Sequence, residues 1–289
     1  MRNFFPLLLM FLLQHEGKAQ FFELSFGAGI SAYMGDLAPE LKVHSTGILY
    51  PAFSTGLRTG IREGLSFKFS ATLLTIGAKD QLANDPFRVQ RNLSFKSTIK
   101  EMALHVEFFP FSSLESPFFS IAQVYLYSGL AYFFHNPKAL YQGKWYSLQP
   151  LSTEGQETVI RPTIKRYSLR DLSIPFGGGF IFFLEDNCSI GVFLSVRKSF
   201  TDYLDDVSGR YVDAAILTVE SGEIAGILSN RTRELGSSAT MIFPPGAIRG
   251  NPDKKDWYAT LELSVGFTIY NRGRKAKWWG SSRKKRSLF

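Results

Sequence analysis

The sequence is poor in cysteine, in helical periodicity and in long apolar runs. Cys188 is the only cysteine among 289 residues, so no disulfide can form within the chain. A single thiol on a strand is more often a packing residue than a nucleophile. The interior of the chain has no segment of the ~20 apolar residues that a transmembrane helix needs. These absences exclude a disulfide scaffold and a helical membrane protein.

The first residues predict export. Arg2 precedes an apolar run at residues 4–13, and Gly17 and Ala19 form a small-x-small cleavage pattern around Lys18. The run is too short for a stable helical anchor, so we predict a signal peptide at residues 1–19. An exported chain without a transmembrane helix can still span a membrane as a β-barrel.

Alternation of apolar and polar residues is the dominant pattern, and it indicates β-strands with two unlike faces. Eight segments show it, which are 21–34, 50–61, 65–75, 99–109, 118–134, 172–184, the first half of 188–208, and 257–270. The number is even and most segments are long enough to cross a membrane at a tilt. We therefore predict an all-β chain with a barrel domain at residues 20–270.

The connections between these segments alternate between short and long. The long, polar ones are 35–49, 76–98, 135–171 and 202–256, and those between them are short. This layout is typical of an eight-stranded antiparallel transmembrane β-barrel with short periplasmic turns and long extracellular loops. A soluble sandwich or lipocalin-like barrel shows the same alternation but more often has short loops at both ends. We expect an outer-membrane location.

Charged residues fall on the face that should point into the barrel. They are Glu23, Arg58, Lys68, Glu101, His105, Glu107, Arg197 and Glu262. An eight-stranded barrel is only wide enough for side chains, so mixed charges there predict a paired network that fills the lumen. The first and last strands must be neighbours in a closed barrel. We therefore expect Glu23 and Glu262 to lie close together, with Arg197 as their counter-charge.

Two motifs that suggest chemistry lack the context that the chemistry needs. Residues 27–32 match the dinucleotide fingerprint GxGxxA, but they lie inside an alternating strand with no helix after them. A lipid-hydrolysing barrel enzyme would need a Ser–His pair on the outer surface. His44 and His135 fall in predicted loops and His105 inside the barrel, and no spacing singles out a triad. We predict a protein that is not an enzyme and that uses no cofactor or small-molecule substrate.

Acidic residues gather where the seventh strand ends, at Asp202, Asp205 and Asp206. Clustered carboxylates could bind Ca²⁺, but the spacing is not that of an EF-hand loop. An acidic extracellular rim is more often simply solvated. We predict no metal site.

The end of the chain, residues 271–289, is strongly basic and should emerge on the periplasmic side. Its eight Lys and Arg residues equal the formal net charge of +8 of the whole chain. Arg272, Lys275, Trp278 and Trp279 are candidates for contact with anionic lipid or a periplasmic partner. A disordered, solvated tail is an equal alternative. Nucleic acid is not an expected partner of an exported barrel.

Several segments together resemble the PorG-like family of Bacteroidota outer-membrane barrels. They include Tyr33-Met34-Gly35-Asp36-Leu37, His135-Asn136-Pro137, the LQPLSTEGQ segment at 148–156, Ile174-Pro175-Phe176-Gly177, and RKSFTDYLDDVS at 197–208. The resemblance covers essentially the whole mature chain. It implies an outer-membrane barrel of the type IX protein secretion machinery, associated with a periplasmic lipoprotein ring, and it implies no catalytic residues.

The expected partners are outer-membrane lipid and periplasmic lipoprotein or ring components. A second hypothesis is a surface adhesion or structural barrel that acts through its loops at 135–171 and 202–256. A third is a barrel enzyme that acts on lipid.

Overall fold

A computed structural model describes residues 21–38, 49–62, 64–114, 118, 121–185 and 187–269. The predicted signal peptide, His44, and the basic tail with Arg272, Lys275, Trp278 and Trp279 lie outside the described residues.

Eight long antiparallel strands form a closed barrel. In chain order the strands of the sheet are β1 Phe22–Met34, β2 Tyr50–Arg62, β3 Leu65–Lys79, β4 Ser94–Phe108, β5 Ala122–Phe134, β6 Pro137–Tyr141, β7 Lys144–Ser147, β8 Arg170–Glu185, β9 Cys188–Ser199 and β10 Trp257–Ile269. The barrel order is β3-β2-β1-β10-β9-β8-β5-β4, and pairing of β3 with β4 closes the ring. All eight predicted strands are confirmed.

The strand limits differ from the prediction mainly on the long-loop side. β3 continues to Lys79 and β4 begins at Ser94, so the predicted loop at 76–98 shrinks to residues 80–93. The two strands stay paired through this extension, from Thr75 opposite Thr98 to Lys79 opposite Ser94. β5 begins at Ala122 rather than at residue 118.

The outer wall is apolar and the inner wall polar, as the alternation predicts. On β4, Met102, Leu104, Val106 and Phe108 are exposed on the outside, while the residues between them are buried inside the barrel. Exposed apolar side chains cover the other strands in the same way, for example Phe176, Phe180 and Phe182 on β8. A soluble protein rarely exposes so large an apolar band, whereas a membrane barrel requires one. The chain is thus a transmembrane barrel of the outer membrane.

The described parts of the long connections are folded, which the sequence did not predict. Strands β6 and β7 form a hairpin, and β6 pairs with the outer end of β4. In the other connections the described residues include three short α-helices, namely α1 Pro86–Arg91, α2 Ala214–Ser221 and α3 Glu223–Ser229. Asp85 caps α1, and Asp213 caps α2, with side chains that accept hydrogen bonds from backbone N–H groups. No helix in the described ranges is long and apolar enough to cross a bilayer.

Two leucines of equal exposure test the apolar band. Leu104 is 45% exposed on the outer wall of β4, and Leu82 is 47% exposed in a long loop. We expect Leu104→Arg to lower the free energy of unfolding by about 2–4 kcal/mol, because it puts a charge against lipid. Leu82→Arg faces water and should change it by less than about 0.5 kcal/mol. Urea unfolding in liposomes measures both; equal effects would contradict the placement of the band.

Candidate functional site

Inward-facing charges form an ion-pair network near the short-turn end of the barrel. Arg58 on β2 pairs with Glu23 on β1, and its Nε lies 2.5 Å from Glu107 Oε2 on β4. Ser66 also donates to Glu107, at 2.8 Å, and Ser189 to Glu23, at 3.2 Å. Each carboxylate thereby receives a counter-charge and hydrogen-bond donors in a place that water does not reach, as a buried charge requires. One arginine links strands on both sides of the barrel lumen.

Arg197 belongs to a second part of the network, and it forms its ion pair with Glu101 rather than with the expected Glu23 and Glu262. Its Nη2 lies 3.1 Å from Glu101 Oε1. Tyr258 donates a hydrogen bond to the other oxygen of Glu101, at 2.6 Å. Glu23 pairs with Arg58 instead. The register places Glu23 opposite Thr268 and Glu262 opposite Gly29, so the two glutamates are six residues apart along the β1–β10 pair.

Between these two groups lies a small cavity of about 20 Å³. Lys68, His105, Ser195 and Glu262 are among the residues that line it. Among the described residues, His105 Nδ1 and Glu262 Oε1 have no hydrogen-bond partner, and Ser195 Oγ has none of normal geometry, although the Tyr127 side chain is near. Such a volume accommodates about one water molecule, and polar atoms of this kind are what a buried water needs. The lumen is filled, so it is not an open pore.

His105 and Ser70 form a Ser–His pair inside the barrel. Ser70 Oγ lies 2.8 Å from His105 Nε2. His105 Nδ1, which an acidic third member would have to hold, has no hydrogen-bond partner in the described part of the chain. The adjoining cavity has no room for a lipid ester. The pair therefore lacks both the orientation and the access that a hydrolytic triad requires.

The apolar parts of the interior close the two ends of the charged layer. Toward the short turns, Phe21, Phe109, Tyr125, Ile181 and Phe193 pack together. At the long-loop end, a larger cluster runs from the strand ends into the loops and includes Tyr33, Leu37, Leu204 and Val207. The charges are thus enclosed by apolar side chains above and below.

The long loops form one packed body, which we call the extracellular cap and which comprises residues 35–38, 80–93, 135–169 and 200–256. The acidic segment after β9 lies at its centre. Asp202, Asp205 and Asp206 are all buried. The expectation of a solvated acidic rim is therefore wrong, because the other loops fold over this segment.

Arg249 binds one of these aspartates, Asp206, and also a glutamate of another loop, Glu154. Its Nη1 lies 2.9 Å from Glu154 Oε1, and its Nη2 lies 3.4 Å from Asp206 Oδ2. Asp206 also accepts hydrogen bonds from Thr153, at 2.5 Å, and from Tyr167, at 2.7 Å. Burial would lower the pKa of Arg249, but the two carboxylates raise it above its usual value. This network joins the loop at 148–167 to the loop at 200–256.

Two further aspartates share the hydroxyl of Tyr33. Its oxygen lies 2.7 Å from Asp205 Oδ2 and 2.8 Å from Asp256 Oδ1. A phenol has one proton, so both contacts can be hydrogen bonds only when one carboxyl is protonated. Burial raises the pKa of both aspartates well above the usual value, and repulsion from neighbouring carboxylates raises it further, while the hydrogen bond to Tyr33 offsets part of the shift.

A second arginine, Arg91 on α1, ties the loop at 80–93 to the cap. It makes two hydrogen bonds to Asp80, at 2.7 and 2.8 Å. It also donates to the backbone oxygens of Arg249, at 2.6 Å, and of Asp36, at 3.0 Å. Neither Arg91 nor Arg249 stood out in the sequence, because their partners are up to 158 residues away and share no local motif.

Asp202 is the least satisfied carboxylate of the cap. It is 3% exposed, and neither oxygen has a hydrogen bond of normal geometry, although the Ser208 side chain is near. Burial raises its pKa to about 7, and Asp36 and Glu154 add repulsion. In the described part of the chain, no three His, Cys, Asp or Glu side chains are arranged to hold a metal ion.

A closed ring of eight strands, an apolar outer wall and a filled lumen define an eight-stranded outer-membrane β-barrel. Residues 2–223 match the family described as a domain of unknown function, DUF6089. The match spans most of the chain, and the chain belongs to this family. No curated protein sequence matches it.

Solved outer-membrane barrels share the general shape at low identity. Ail, the attachment invasion locus protein of Yersinia pestis, is 10% identical, with 86% of this chain and 98% of that chain covered and a TM-score of 0.39. Neisserial surface protein A is 7% identical, with 87% and 98% covered and a TM-score of 0.39. A major outer membrane protein from Thermus thermophilus is 13% identical, with 86% and 98% covered and a TM-score of 0.40. These similarities carry no argument about the role of this chain.

Loss of the Arg58 side chain should destabilise the barrel strongly. We expect Arg58→Met to lower the free energy of unfolding by about 3–5 kcal/mol, because Glu23 and Glu107 remain buried without their counter-charge. Adding Glu23→Gln and Glu107→Gln removes those charges and should restore most of the loss. Urea unfolding in detergent micelles measures all three forms. A single variant as stable as the parent would contradict the network.

Asp202 should make the stability of the cap depend on pH. An unfolded Asp has a pKa near 3.9, whereas burial raises that of Asp202 to about 7. Between these two pKa values the folded state thus holds a proton that the unfolded state has released. The stability that this proton contributes is lost as the pH rises through 7. We expect Asp202→Asn to raise the melting temperature at pH 8 and to leave it nearly unchanged at pH 4.

The exposed Asp253 in the same connection is the matched control for this change. Asp253→Asn should leave the difference between pH 4 and pH 8 as it is in the parent protein. A melting temperature of Asp202→Asn that follows the parent at both pH values would contradict the assignment.

Proposed function

We propose that the protein is a PorG-like, non-enzymatic component of the type IX protein secretion machinery that anchors a periplasmic lipoprotein ring to the outer membrane. Its periplasmic contacts would come from the short turns and from the basic tail at residues 271–289. The proposal begins from the resemblance of five segments of the sequence to that family.

One observation carries the proposal furthest: two of the segments that support the resemblance both contact a third one in the cap. Residues 33–37 reach Asp205 through Tyr33, at 2.7 Å, and through the backbone N–H of Leu37, at 3.3 Å. The segment at 148–156 reaches residues 197–208 through Glu154, whose Oε1 accepts from the Ser208 N–H at 2.9 Å. A shared, interlocked core is what common membership of one structural family would produce.

The filled lumen favours an anchoring role over transport through the barrel. Ion pairs cross the lumen at Arg58 and at Arg197, and apolar residues close it on both sides. Opening a passage would leave buried charges without partners, which costs several kcal/mol for each ion. A rigid barrel of this kind serves as a membrane anchor whose working surfaces lie outside it.

A second candidate function is adhesion or surface binding through the cap, and exposed apolar residues there favour it. Val219 on α2 is 86% exposed and Val159 is 68% exposed. The two are near each other, because the backbone N–H of Val159 donates to Glu220 at 3.0 Å. Apolar side chains exposed beside each other on an extracellular surface can form the centre of a protein contact.

The test replaces the chromosomal gene with a form that ends at residue 270. A matched variant keeps the full length and carries Trp278→Ala and Trp279→Ala in the tail. If the tail anchors the ring, the truncated form should still reach the outer membrane but release periplasmic lipoprotein on affinity purification. Secretion of type IX cargo should fall at least tenfold, measured by mass spectrometry of the medium. The tryptophan variant should show a partial loss, since side chains of this kind dominate protein contacts.

A third strain carries Val159→Ser and Val219→Ser and separates the two candidates. Intact secretion and co-purification in this strain, together with loss in the truncated strain, supports the anchoring role. Intact secretion in the truncated strain with loss of surface binding in the valine strain would replace it by the adhesion role.

A further inference from the structure

A large recess lies in the outer wall of the barrel, on the extracellular side. The recess has a volume of about 750 Å³ and lies where β6 takes the place of β5 beside the outer end of β4. Lys96 and Lys100 of β4, Lys138 of β6, Phe134 of β5 and Trp145 of β7 are among its lining residues. It is distinct from the lumen and from the buried carboxylates of the cap.

The charges of the recess are all of one sign. Register places Lys96 opposite Lys138, and Lys100 opposite Phe134. Arg170 lies over the Phe134 ring, 5.9 Å from its centroid, and adds a fourth cation next to the recess. In the part of the chain that the structure describes, no carboxylate forms an ion pair with any of the three lysines. Three cations without counter-charges favour an anionic ligand.

The height of the recess relates it to the membrane boundary. Met102 is the first apolar residue of the outer wall of β4. Lys100 lies on the same face two residues before it, roughly 7 Å farther toward the extracellular side. Trp145 and Leu140 are cross-strand neighbours on the hairpin, and both are exposed. Tryptophan is enriched at the level of lipid headgroups, where its ring is half in apolar surroundings. Lys100 thus lies at the height where the phosphate of an outer-leaflet lipid would be.

Aromatic rings hold Lys96 in place without neutralising it. Its Nζ lies 5.3 Å from the ring centroid of Tyr50 and 5.7 Å from that of Trp145. Contact with ring faces orients an ammonium group and leaves N–H donors for a second partner. An arrangement of basic and aromatic side chains suits a phosphate carried on a sugar, because sugar faces pack on aromatic rings.

From the charge, the height and the aromatic lining, we propose that this recess binds the phosphorylated sugar headgroup of a glycolipid in the outer leaflet, with the acyl chains along the apolar wall of β4. The lysines supply the charge for the phosphate, and Trp145 and Phe134 border the sugar. The site does not depend on the role in secretion. The recess would hold one glycolipid on this side of the barrel, while the lipids around the rest of the outer wall exchange freely.

The test uses the full-length protein in detergent micelles and lipid A that carries its phosphates. Native mass spectrometry gives the apparent Kd. The variant Lys96→Gln, Lys100→Gln, Lys138→Gln should bind on the order of 100-fold more weakly, since each basic residue near a lipid surface contributes about fivefold. A matched variant, Lys165→Gln, Arg233→Gln, Lys254→Gln, loses the same charge from exposed cap positions and should bind as the parent does.

Two ligand controls identify the source of the phosphate. Lipid A without phosphates should bind the parent protein as weakly as it binds the recess variant. Inorganic phosphate at millimolar concentration should not displace lipid A, because it lacks the acyl chains and the sugar. Equal binding by both triple variants, equal binding of lipid A with and without phosphates, or displacement by free phosphate would each overturn the proposal. If the recess variant does not fold, Lys100→Gln alone should show a loss of about fivefold.

Discussion

The width of an eight-stranded barrel is the constraint on which the structure depends. The lumen admits side chains but little water, so each polar group that alternation points inward must find a partner on another strand. Arg58 meets this requirement by binding Glu23 and Glu107, and Arg197 by binding Glu101. Glycine leaves room for such contacts: a Cβ at Gly27 would lie 3.0 Å from Glu262 Oε2 and 2.5 Å from Ser54 Oγ. The same constraint that makes the barrel stable makes it impermeable.

The cap repeats this requirement outside the membrane with a different balance of charges. Carboxylates outnumber cations there, and arginine serves several of them at once, as Arg249 does for Glu154 and Asp206. Carboxylates without a cation are stabilised by protonation instead: Tyr33 bridges Asp205 and Asp256, and burial raises the pKa of both. The loops therefore form a single body rather than separate flexible segments. The positive φ of Asp206, at 69°, lets the chain turn so that this side chain points into the network.

The sequence predicts the barrel well because its strands obey a local rule. Inside and outside differ at every second residue, and this pattern identifies Glu23, Arg58, Glu101 and Arg197 as inward-facing. It does not identify their partners, since pairing depends on the stagger between strands. The prediction that Arg197 pairs with Glu23 relied only on which strands are neighbours in the ring, and it was wrong. The cap was beyond prediction for a related reason: Arg91 and Arg249 meet through loops that are distant in sequence, and no periodic pattern marks a contact of this kind.

A closed interior also restricts where the protein can act. The Ser70–His105 pair, Lys68 and Glu262 are all chemically reactive groups, yet they face a cavity of about 20 Å³. No substrate or cargo fits there without breaking the ion pairs. Binding must then take place on surfaces that the fold leaves unsatisfied. On the described surface, the lysine recess above the apolar wall and the exposed valines of the cap are two such surfaces. Both lie on the extracellular half, so a ligand bound there would leave the short-turn side of the barrel free for a periplasmic partner.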